Sequence, residues 1–217
     1  TAGKGRMGRP WRSAAGASLT FSLGLPLAPQ DWSGLSLAVG VSVAESLQPT
    51  LPAAGSSTPR VALKWPNDLW LGGAQGDRKL GGILVETASF VGAPAAAASA
   101  ERYVVIGVGL NVLSQDGAGL SLPPGSLQEL EPGLDAPTAL LRVVPPLVAL
   151  LQAFAQYGFA PLQPRFGLRD ALAGRSVQLS DGTQGQAHGV GEDGALLVHT
   201  ARGMQAITSA EISVRPS

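Results

Sequence analysis

The amino-acid sequence predicts an α+β fold in two parts, with a mixed-sheet domain over about residues 1–170 and a small β-barrel over 171–217. In the first part, strand-like apolar runs alternate with helical stretches, which is typical of a sheet covered by helices. The second part holds five short strand-like segments within about 45 residues, with Asp-Gly turns at 181–182 and 193–194. A hydrophobic share of 45% in 217 residues is enough to build a packed core.

Each element has its own local signal. Strands are predicted from apolar patterning at 17–23, 60–65, 68–71, 82–87 and 102–112, and then at 175–180, 184–190, 195–200, 204–209 and 211–215. A helix capped by Asp31 is expected to end near residue 48. Asp135 and Pro137 begin another helix, which Pro145 and Pro146 are expected to interrupt before a second helical run to Tyr157. Residues 92–100 and 113–134 are predicted loops.

The composition excludes several kinds of site. Without cysteine, the chain has no disulfide framework, no catalytic thiolate and no cysteine-ligated metal centre. His188 and His199 are the two histidines, so the first 187 residues contain no histidine base or ligand. Fifteen basic residues balance fifteen acidic ones, which argues against nucleic-acid binding, and no uncharged apolar run approaches the roughly 18 residues of a membrane span. We expect a cytoplasmic protein whose domain continues upstream of Thr1.

Lysine is confined to Lys4, Lys64 and Lys79, whereas the other twelve basic residues are arginine. A coding bias explains the shortage and leaves lysine at constrained positions. The segment GKGRMG at 3–8 fits G-x-G-x-x-G, but Pro10 and Trp11 follow it where a dinucleotide site needs a helix. Its backbone N–H groups and cations suit a phosphate or carboxylate, and they equally suit a solvated basic loop.

The other two lysines lie in motifs that carry polar groups next to strands. In KWPND (64–68), Asn67 can bind a purine edge or phosphate and Asp68 can hold Mg²⁺ or accept a proton, although Asn and Asp also favour an ordinary turn. In RKLGGILVET (78–87), Lys79 precedes a buried strand and suits an anion or a charged hairpin end. Asn111 ends the apolar run VIGVGLN, either as a ligand contact or as a strand cap.

Taken in order, GKGRMGRPW, KWPNDLWL, RKLGGILVE and VVIGVGLN resemble the catalytic domain of biotin–protein ligases. The second part is similar to the SH3-like C-terminal domain of that family. The resemblance implies a catalytic domain at 1–170, related in fold to class II aminoacyl-tRNA synthetases, and an SH3-like domain at 171–217. It also implies two steps: biotin attacks the α-phosphate of MgATP to give biotinyl-5′-AMP, and a lysine of a biotin carboxyl carrier protein then takes the biotinyl group. Cations that neutralise the two anions suffice for this chemistry, without an enzyme nucleophile.

The resemblance also assigns residues to roles. Lys79, Arg6 and Asp68 are implied as the catalytic residues, with Asp68 binding Mg²⁺ or orienting the carrier lysine. Biotin and the adenylate are expected to contact Lys4, Gly5, Arg6, Lys79, Gly82, Gly107 and Leu110. The nucleotide is expected to contact Arg9, Trp11, Lys64, Asn67 and Asn111. Departures from the family pattern include Lys4, where arginine is common, and a Ser-Thr-Asn segment and a glutamine that lie upstream in relatives.

Rival interpretations remain at this stage. A lipoate– or octanoate–protein ligase shares the fold, and a non-catalytic biotin-binding regulator or interaction module belongs to a different class. The resemblance leads us to expect ATP and biotin as substrates, Mg²⁺ as a cofactor and a biotin carboxyl carrier domain as the partner. A homodimer is possible on this basis, whereas neither nucleic acid nor a membrane is expected as a partner.

Overall fold

A central antiparallel sheet organises the first part of the chain. The computed structural model describes residues 3–8, 10–11, 13–53, 55–88, 102–120, 122–208 and 214–216. A two-stranded ribbon of β1 (Gly3–Lys4) and β2 (Pro10–Trp11) precedes the sheet. The sheet has the order β3-β7-β6-β5-β4 and comprises β3 (Ser18–Leu27), β4 (Arg60–Lys64), β5 (Asp68–Gly72), β6 (Arg78–Ala88) and β7 (Arg102–Asn111). Two isolated parallel bridges, Leu63 with Asp170 and Lys79 with Pro124, add to its antiparallel ladders.

The helices cover one face of this sheet and leave the other face to the site. They are α1 (Leu35–Leu47), α2 (Ala136–Tyr157) and the short α3 (Gln163–Gly167). Alternate residues on the strands, such as Val61 and Leu63 on β4 or Ile106 and Val108 on β7, join a hydrophobic core with both long helices. The α+β prediction is confirmed, and each strand predicted in the first part is present.

The structure corrects the prediction that Pro145 and Pro146 interrupt the second long helix, because α2 is continuous through both. Its buried residues, Ala139, Val143, Leu147, Leu151 and Phe154, form a stripe with helical spacing, so packing holds that face in place. Both prolines are exposed. The carbonyl groups that they leave unbonded, on Leu141 and Arg142, therefore lie toward the solvent side, where water can replace the lost hydrogen bonds.

By length and composition alone, α2 would also be apolar enough to cross a membrane. Its contacts with α1 and β3 are those of a helix packed on a globular core.

The first long helix begins later than predicted. Asp31 does not cap it, because the Asp31 Oδ1 atom accepts a hydrogen bond of 2.8 Å from the backbone N–H of Ser33 and forms a turn. Gly34, with a φ of 75°, occupies the N-cap position instead. An added Cβ at Gly34 would lie 2.5 Å from the Phe159 ring, so close packing as well as φ requires glycine here.

The second part forms a separate five-stranded antiparallel sheet, called the C-terminal sheet below. Its strands are β8 (Ser176–Leu179), β9 (Gln184–Val190), β10 (Leu196–Thr200), β11 (Gly203–Ile207) and β12 (Val214–Pro216), in the order β11-β10-β9-β8-β12. Four of the five predicted strands are therefore present, and the fifth, predicted at 211–215, is described only from residue 214, where β12 begins. The sheet contacts the first part through Trp65, whose Nε1–H donates a hydrogen bond of 3.1 Å to the Gly194 carbonyl, and through an Arg175–Asp77 ion pair.

Candidate functional site

A cavity of about 940 Å³ lies on the sheet face opposite the helices. Its floor is formed by β3, β5, β6 and β7, and its walls come from the glycine-rich segment and the loop after β7. Four basic and three acidic side chains of the described residues line it: Lys4, Arg6, Lys64 and Lys79 against Asp68, Glu86 and Asp116. The cavity has the size of a small-molecule site and an excess of positive charge, which suits an anionic ligand.

The floor is organised by one transverse row of paired residues. Lys64 pairs with Asp68, Asp68 with Gly82, Gly82 with Gly109, and Gly109 with Thr20 across the five strands. Charged side chains occupy one end of this row and glycines its middle. Gly82 leaves the backbone of the floor open to a ligand, while the charges lie at its edge.

A bulge in β6 brings Lys79 to the same face as Gly82. The register advances by one residue on β5, from Leu69 to Trp70, while it moves by two on β6, from Gly81 to Lys79. Leu80 is left without a pairing partner and is fully buried in the core. Lys79 therefore lies inside β6, which begins at Arg78 and not at residue 82 as predicted.

Asp68 lies between two ammonium groups. The Lys79 Nζ atom is 2.7 Å from Asp68 Oδ1, and Lys64 Nζ is 3.9 Å from Asp68 Oδ2. The Asp68 and Lys64 side chains are largely buried, whereas 38% of the Lys79 side chain is exposed to the cavity. This arrangement holds Lys79 in a fixed direction and leaves part of its ammonium group accessible to a ligand.

The Asn111 side chain is used to hold the backbone around Lys79. Its Nδ2 group donates hydrogen bonds of 3.1 Å to the carbonyls of Lys79 and Gly125, and its Oδ1 atom accepts one of 3.0 Å from Gln115. The Lys79 N–H and carbonyl also bond to Pro123 and Gly125. Asn111 is only 6% exposed, so its amide acts mainly on the position of Lys79.

Asn67 lies in the turn between β4 and β5, after a cis Trp65–Pro66 bond. Its Nδ2 group donates a hydrogen bond of 2.8 Å to the Ile83 carbonyl, and its own carbonyl accepts one from the Ile83 N–H. The turn is thereby fastened to β6, next to Asp68.

Trp11 covers the floor at Gly109. A Cβ at position 109 would lie 2.6 Å from Trp11 Cε2, so the indole ring rests directly on the glycine backbone. Among the described residues, no partner is found for the buried Nε1–H of Trp11. The glycine-rich segment is thus packed onto the sheet through Trp11, whose buried indole N–H has no partner among the described residues.

The structure brings most of the predicted site residues together. The predicted residues that line the cavity are Lys4, Gly5, Arg6, Trp11, Lys64, Asn67, Asp68, Lys79, Gly82, Gly107 and Asn111. Leu110 does not line it and is a correction, because strand alternation turns Leu110 into the core, where it is fully buried. Arg9 lies outside the described residues.

Sequence reasoning missed other lining residues. Gly109 could have been found, since it lies between Gly107 and Asn111 with the same alternation. Thr20 and Glu86 reach the cavity through strand register, and Gln115 and Asp116 through a loop. Those four positions carry no local signal in the sequence.

The donor set does not fit a metal ion held by the protein. Within the part of the chain that the structure describes, no group of three or more His, Asp or Glu side chains lies close enough to bind one. Asp68, the predicted ligand, already faces two ammonium groups. Mg²⁺ is usually held by one or two carboxylates together with phosphate oxygens of a substrate, so an anionic ligand would supply most of the oxygens around a divalent cation here.

Comparison with protein-family models agrees with these motifs. A model described as the biotin/lipoate A/B protein ligase family matches residues 1–111, and one described as the biotin protein ligase C terminal domain matches residues 174–215. The chain belongs to the biotin/lipoate A/B protein ligase family. The Escherichia coli member named bifunctional ligase/repressor BirA is 35% identical over 99% of this chain. The biotin--[acetyl-CoA-carboxylase] ligase of Paracoccus denitrificans is 32% identical over 97% of this chain and 85% of its own length.

A solved ligase structure has the same fold over nearly the whole chain. The biotin protein ligase from Aquifex aeolicus in complex with biotin and ATP has a TM-score of 0.77 and 27% identity, and the match covers 99% of this chain and 84% of that one. The chain spans 64% of the length of the Escherichia coli and Salmonella typhimurium relatives.

Proposed function

We propose that this chain is the catalytic part of an ATP-dependent biotin ligase that forms biotinyl-5′-AMP and transfers the biotinyl group to a lysine of a biotin carboxyl carrier protein. The observation that carries the proposal is the single cavity lined by all four motifs, with Lys79 fixed by Asp68 at its edge. The relatives named as biotin ligases support it, as does the Aquifex aeolicus structure with biotin and ATP. The match to a biotin protein ligase C terminal domain favours biotin over lipoate or octanoate.

In the first step, an oxygen of the biotin carboxylate attacks the α-phosphorus of ATP, and pyrophosphate leaves with the electron pair of the broken P–O bond. Both reactants are anions, so their approach needs cations in fixed positions. Lys79 is held ready for this by the Asp68 carboxylate and by the Asn111 side chain, whose Nδ2 group donates to the Lys79 carbonyl. Lys4 and Arg6 bring further positive charge from the glycine-rich segment.

In the second step, the carrier lysine attacks the acyl carbon of the mixed anhydride, AMP leaves, and the amine loses a proton. Mg²⁺ is expected as part of the MgATP substrate, because the protein offers no metal-binding cluster among its described residues. We assign Asp68 to holding Lys64 and Lys79 in place of a metal role.

The remaining roles follow from what each side chain touches. Gly82 and Gly107 form the open part of the floor on which biotin would lie, whereas Trp11 covers Gly109 and borders the nucleotide side. Arg9 is assigned to the nucleotide by its motif alone. The side-chain amides of Asn67 and Asn111 act chiefly by donating hydrogen bonds to the backbone carbonyls of Ile83 and Lys79.

The proposal also covers the roles of the two domains and the cellular location of the protein. The two domains, 1–170 and 171–217, are assigned to catalysis and to support of the site from the KWPND turn, where Trp65 bonds to Gly194. We infer a cytoplasmic location from the substrates.

The test is biotin-dependent exchange of labelled pyrophosphate into ATP, with lipoate and octanoate as competing acids. Lys79→Ala is expected to reduce exchange with biotin by about 10²–10³-fold, the usual cost of removing one group that stabilises developing charge. Arg202→Ala, in the exposed turn between β10 and β11, is the matched charge-removing control and should exchange like the parent.

Exchange with lipoate or octanoate but not biotin would overturn the choice of substrate. Exchange with none of the three acids by a folded chain, or normal exchange by Lys79→Ala, would overturn the proposed role of this cavity.

A further inference from the structure

The lysines of this chain are distributed in an unusual way. The sequence has three, and all three line the same cavity, while the rest of the basic residues are arginine. An arginine side chain keeps its proton under all ordinary conditions, whereas a lysine can lose one and become a nucleophilic amine. Every side-chain amine that could be acylated is therefore concentrated around the proposed adenylate.

The three lysines are not equivalent. Lys64 and Lys79 lie against the Asp68 carboxylate, at 3.9 and 2.7 Å, and a protonated amine has no lone pair with which to attack. Lys4 is exposed and lies in β1, and no ion pair of Lys4 is seen with any residue that the structure describes. Lys4 is therefore the lysine of the cavity whose amine is not held by a carboxylate of any described residue.

We propose that Lys4 is a self-modification site, at which a bound biotinyl-5′-AMP acylates the enzyme when no carrier protein takes the biotinyl group; this inference rests on the proposed function. The Lys4 Nζ lone pair forms a bond to the acyl carbon, and the bond from that carbon to the phosphate oxygen breaks. AMP leaves with the electron pair, and the proton from nitrogen goes to solvent. The product is a neutral amide.

Acylation would remove one of the four positive charges that line the cavity. Because those charges serve to bring two anions together, a modified chain would form the next adenylate more slowly. Self-modification would thus reduce adenylate production when the carrier is scarce.

The experiment incubates the parent chain with biotin and MgATP without carrier and follows its intact mass. Peptide mapping then locates the label, which is unambiguous with three lysines in the sequence. Pyrophosphate release in the same sample reports whether the adenylate forms. A parallel sample receives synthetic biotinyl-5′-AMP, so the reactivity of Lys4 is measured even if the chain cannot adenylate biotin.

We expect one biotinyl group per chain, on Lys4, with a rate constant that does not depend on protein concentration and with little label on an added lysine-rich bystander. In Lys4→Arg, which keeps the charge, labelling with the synthetic adenylate should fall at least about tenfold, because guanidinium is not acylated.

Label on Lys64, Lys79 or the terminal amine in place of Lys4 would overturn the inference, as would an unlabelled chain in the presence of synthetic adenylate. Labelling in the synthetic-adenylate sample without pyrophosphate release in the other would support Lys4 and count against the proposed ligase activity.

Discussion

Gly107 and Gly109 lie two residues apart on the same strand face, but they meet different neighbours. A Cβ at 107 would have its nearest contact at 3.6 Å, with the Leu84 carbonyl, which is an ordinary separation. A Cβ at 109 would lie 2.6 Å from the Trp11 ring. The glycine at 109 is therefore required by the packing of the glycine-rich segment, whereas the one at 107 leaves open space over the floor.

Gly109→Ala is expected to displace Trp11 and loosen residues 3–11 while the sheet stays folded. Amide hydrogen exchange of that segment should become faster than in the parent, and adenylate formation should fall by about tenfold or more, since Lys4 and Arg6 lose their fixed position. Gly107→Ala serves as the control for hydrogen exchange and should protect the segment as the parent does. Unchanged amide hydrogen exchange of this segment in Gly109→Ala would show that Trp11 does not anchor it.

Asp170 is an acidic residue in an unfavourable position beside β4. Its Oδ1 atom accepts a hydrogen bond of 2.8 Å from Leu172 N–H, whereas no partner for the buried Oδ2 atom is found among the described residues. Burial raises the pKa of Asp170 above its usual value, against smaller opposing effects of backbone hydrogen bonds and Arg175. Ionised Asp170 therefore lowers the stability of the folded state.

Ionisation of Asp170 should lower the free energy of unfolding as pH rises. Because the folded-state pKa of Asp170 is raised, its cost is absent below the unfolded pKa of about 3.9 and grows as pH rises through the raised value. Asp170→Asn should thus gain stability relative to the parent as pH increases from 4 to 7 in urea titrations.

Asp181→Asn provides the opposite case. Hydrogen bonds from Thr183 lower the pKa of the exposed Asp181, so the parent should gain relative to this variant as pH rises through the usual carboxyl range. A pH-independent difference for Asp170→Asn would contradict the assignment of a buried, poorly partnered carboxylate.

At the level of elements, α2 shows how packing overrides local preference. Two adjacent prolines in a helix interior are each unfavourable by about 3 kcal/mol relative to alanine. The helix nevertheless continues, because its buried stripe packs on α1 and β3 while the prolines face solvent. The helix therefore retains a local weakness that a substitution can remove.

Pro145→Ala is expected to raise the free energy of unfolding by about 2 kcal/mol, because the one restored hydrogen bond, from the N–H of residue 145 to the Leu141 carbonyl, and the loss of the ring clash outweigh the extra freedom of the unfolded chain. Pro137→Ala is the matched control, since proline in the first turn of α2 costs nothing, and it should be neutral or slightly destabilising. Urea unfolding gives both values. A gain of equal size at both positions would contradict this explanation.

Features set by local patterning could be predicted from the sequence, whereas features set by packing between distant segments could not. Strand patterning located the sheets because each strand buries alternate residues, and the motifs located the lysines, Asp68, Gly82 and Gly107. The continuity of α2, the start of α1 at Gly34 and the core position of Leu110 depend on packing between distant segments. Cavity residues such as Thr20 and Glu86 are set by register across strands, which no local window contains.

For the whole molecule, the contact between the two parts depends on a glycine in each. Gly194, with a φ of 76°, would place an added Cβ 2.7 Å from Gly34 Cα. Its carbonyl accepts the Trp65 hydrogen bond, and Trp65 belongs to the motif that carries Asp68. The C-terminal sheet is thus fastened to the turn at the edge of the site.

Gly194→Ala is expected to combine backbone strain with a clash between the parts, whereas Gly182→Ala carries the strain alone, because its φ of 88° lies in an open turn. Gly182→Ala should lower the free energy of unfolding by about 1–2 kcal/mol, and Gly194→Ala should lower it by about 1–3 kcal/mol more than that. Urea unfolding measures both values. Equal costs would show that the two glycines are not closely packed.

The bulge at Leu80 explains why Lys79 and Gly82 face the same cavity. Lys79 and Gly82 are separated by three positions, an odd interval that an unbroken strand would direct to opposite faces. Deleting Leu80 would restore a regular ladder and leave Lys79 two positions from Gly82, so both residues would still face the cavity while the buried Leu80 side chain would be lost. Two residues of one strand that bind the same ligand but lie an odd number of positions apart therefore indicate a β-bulge between them, even in a single sequence.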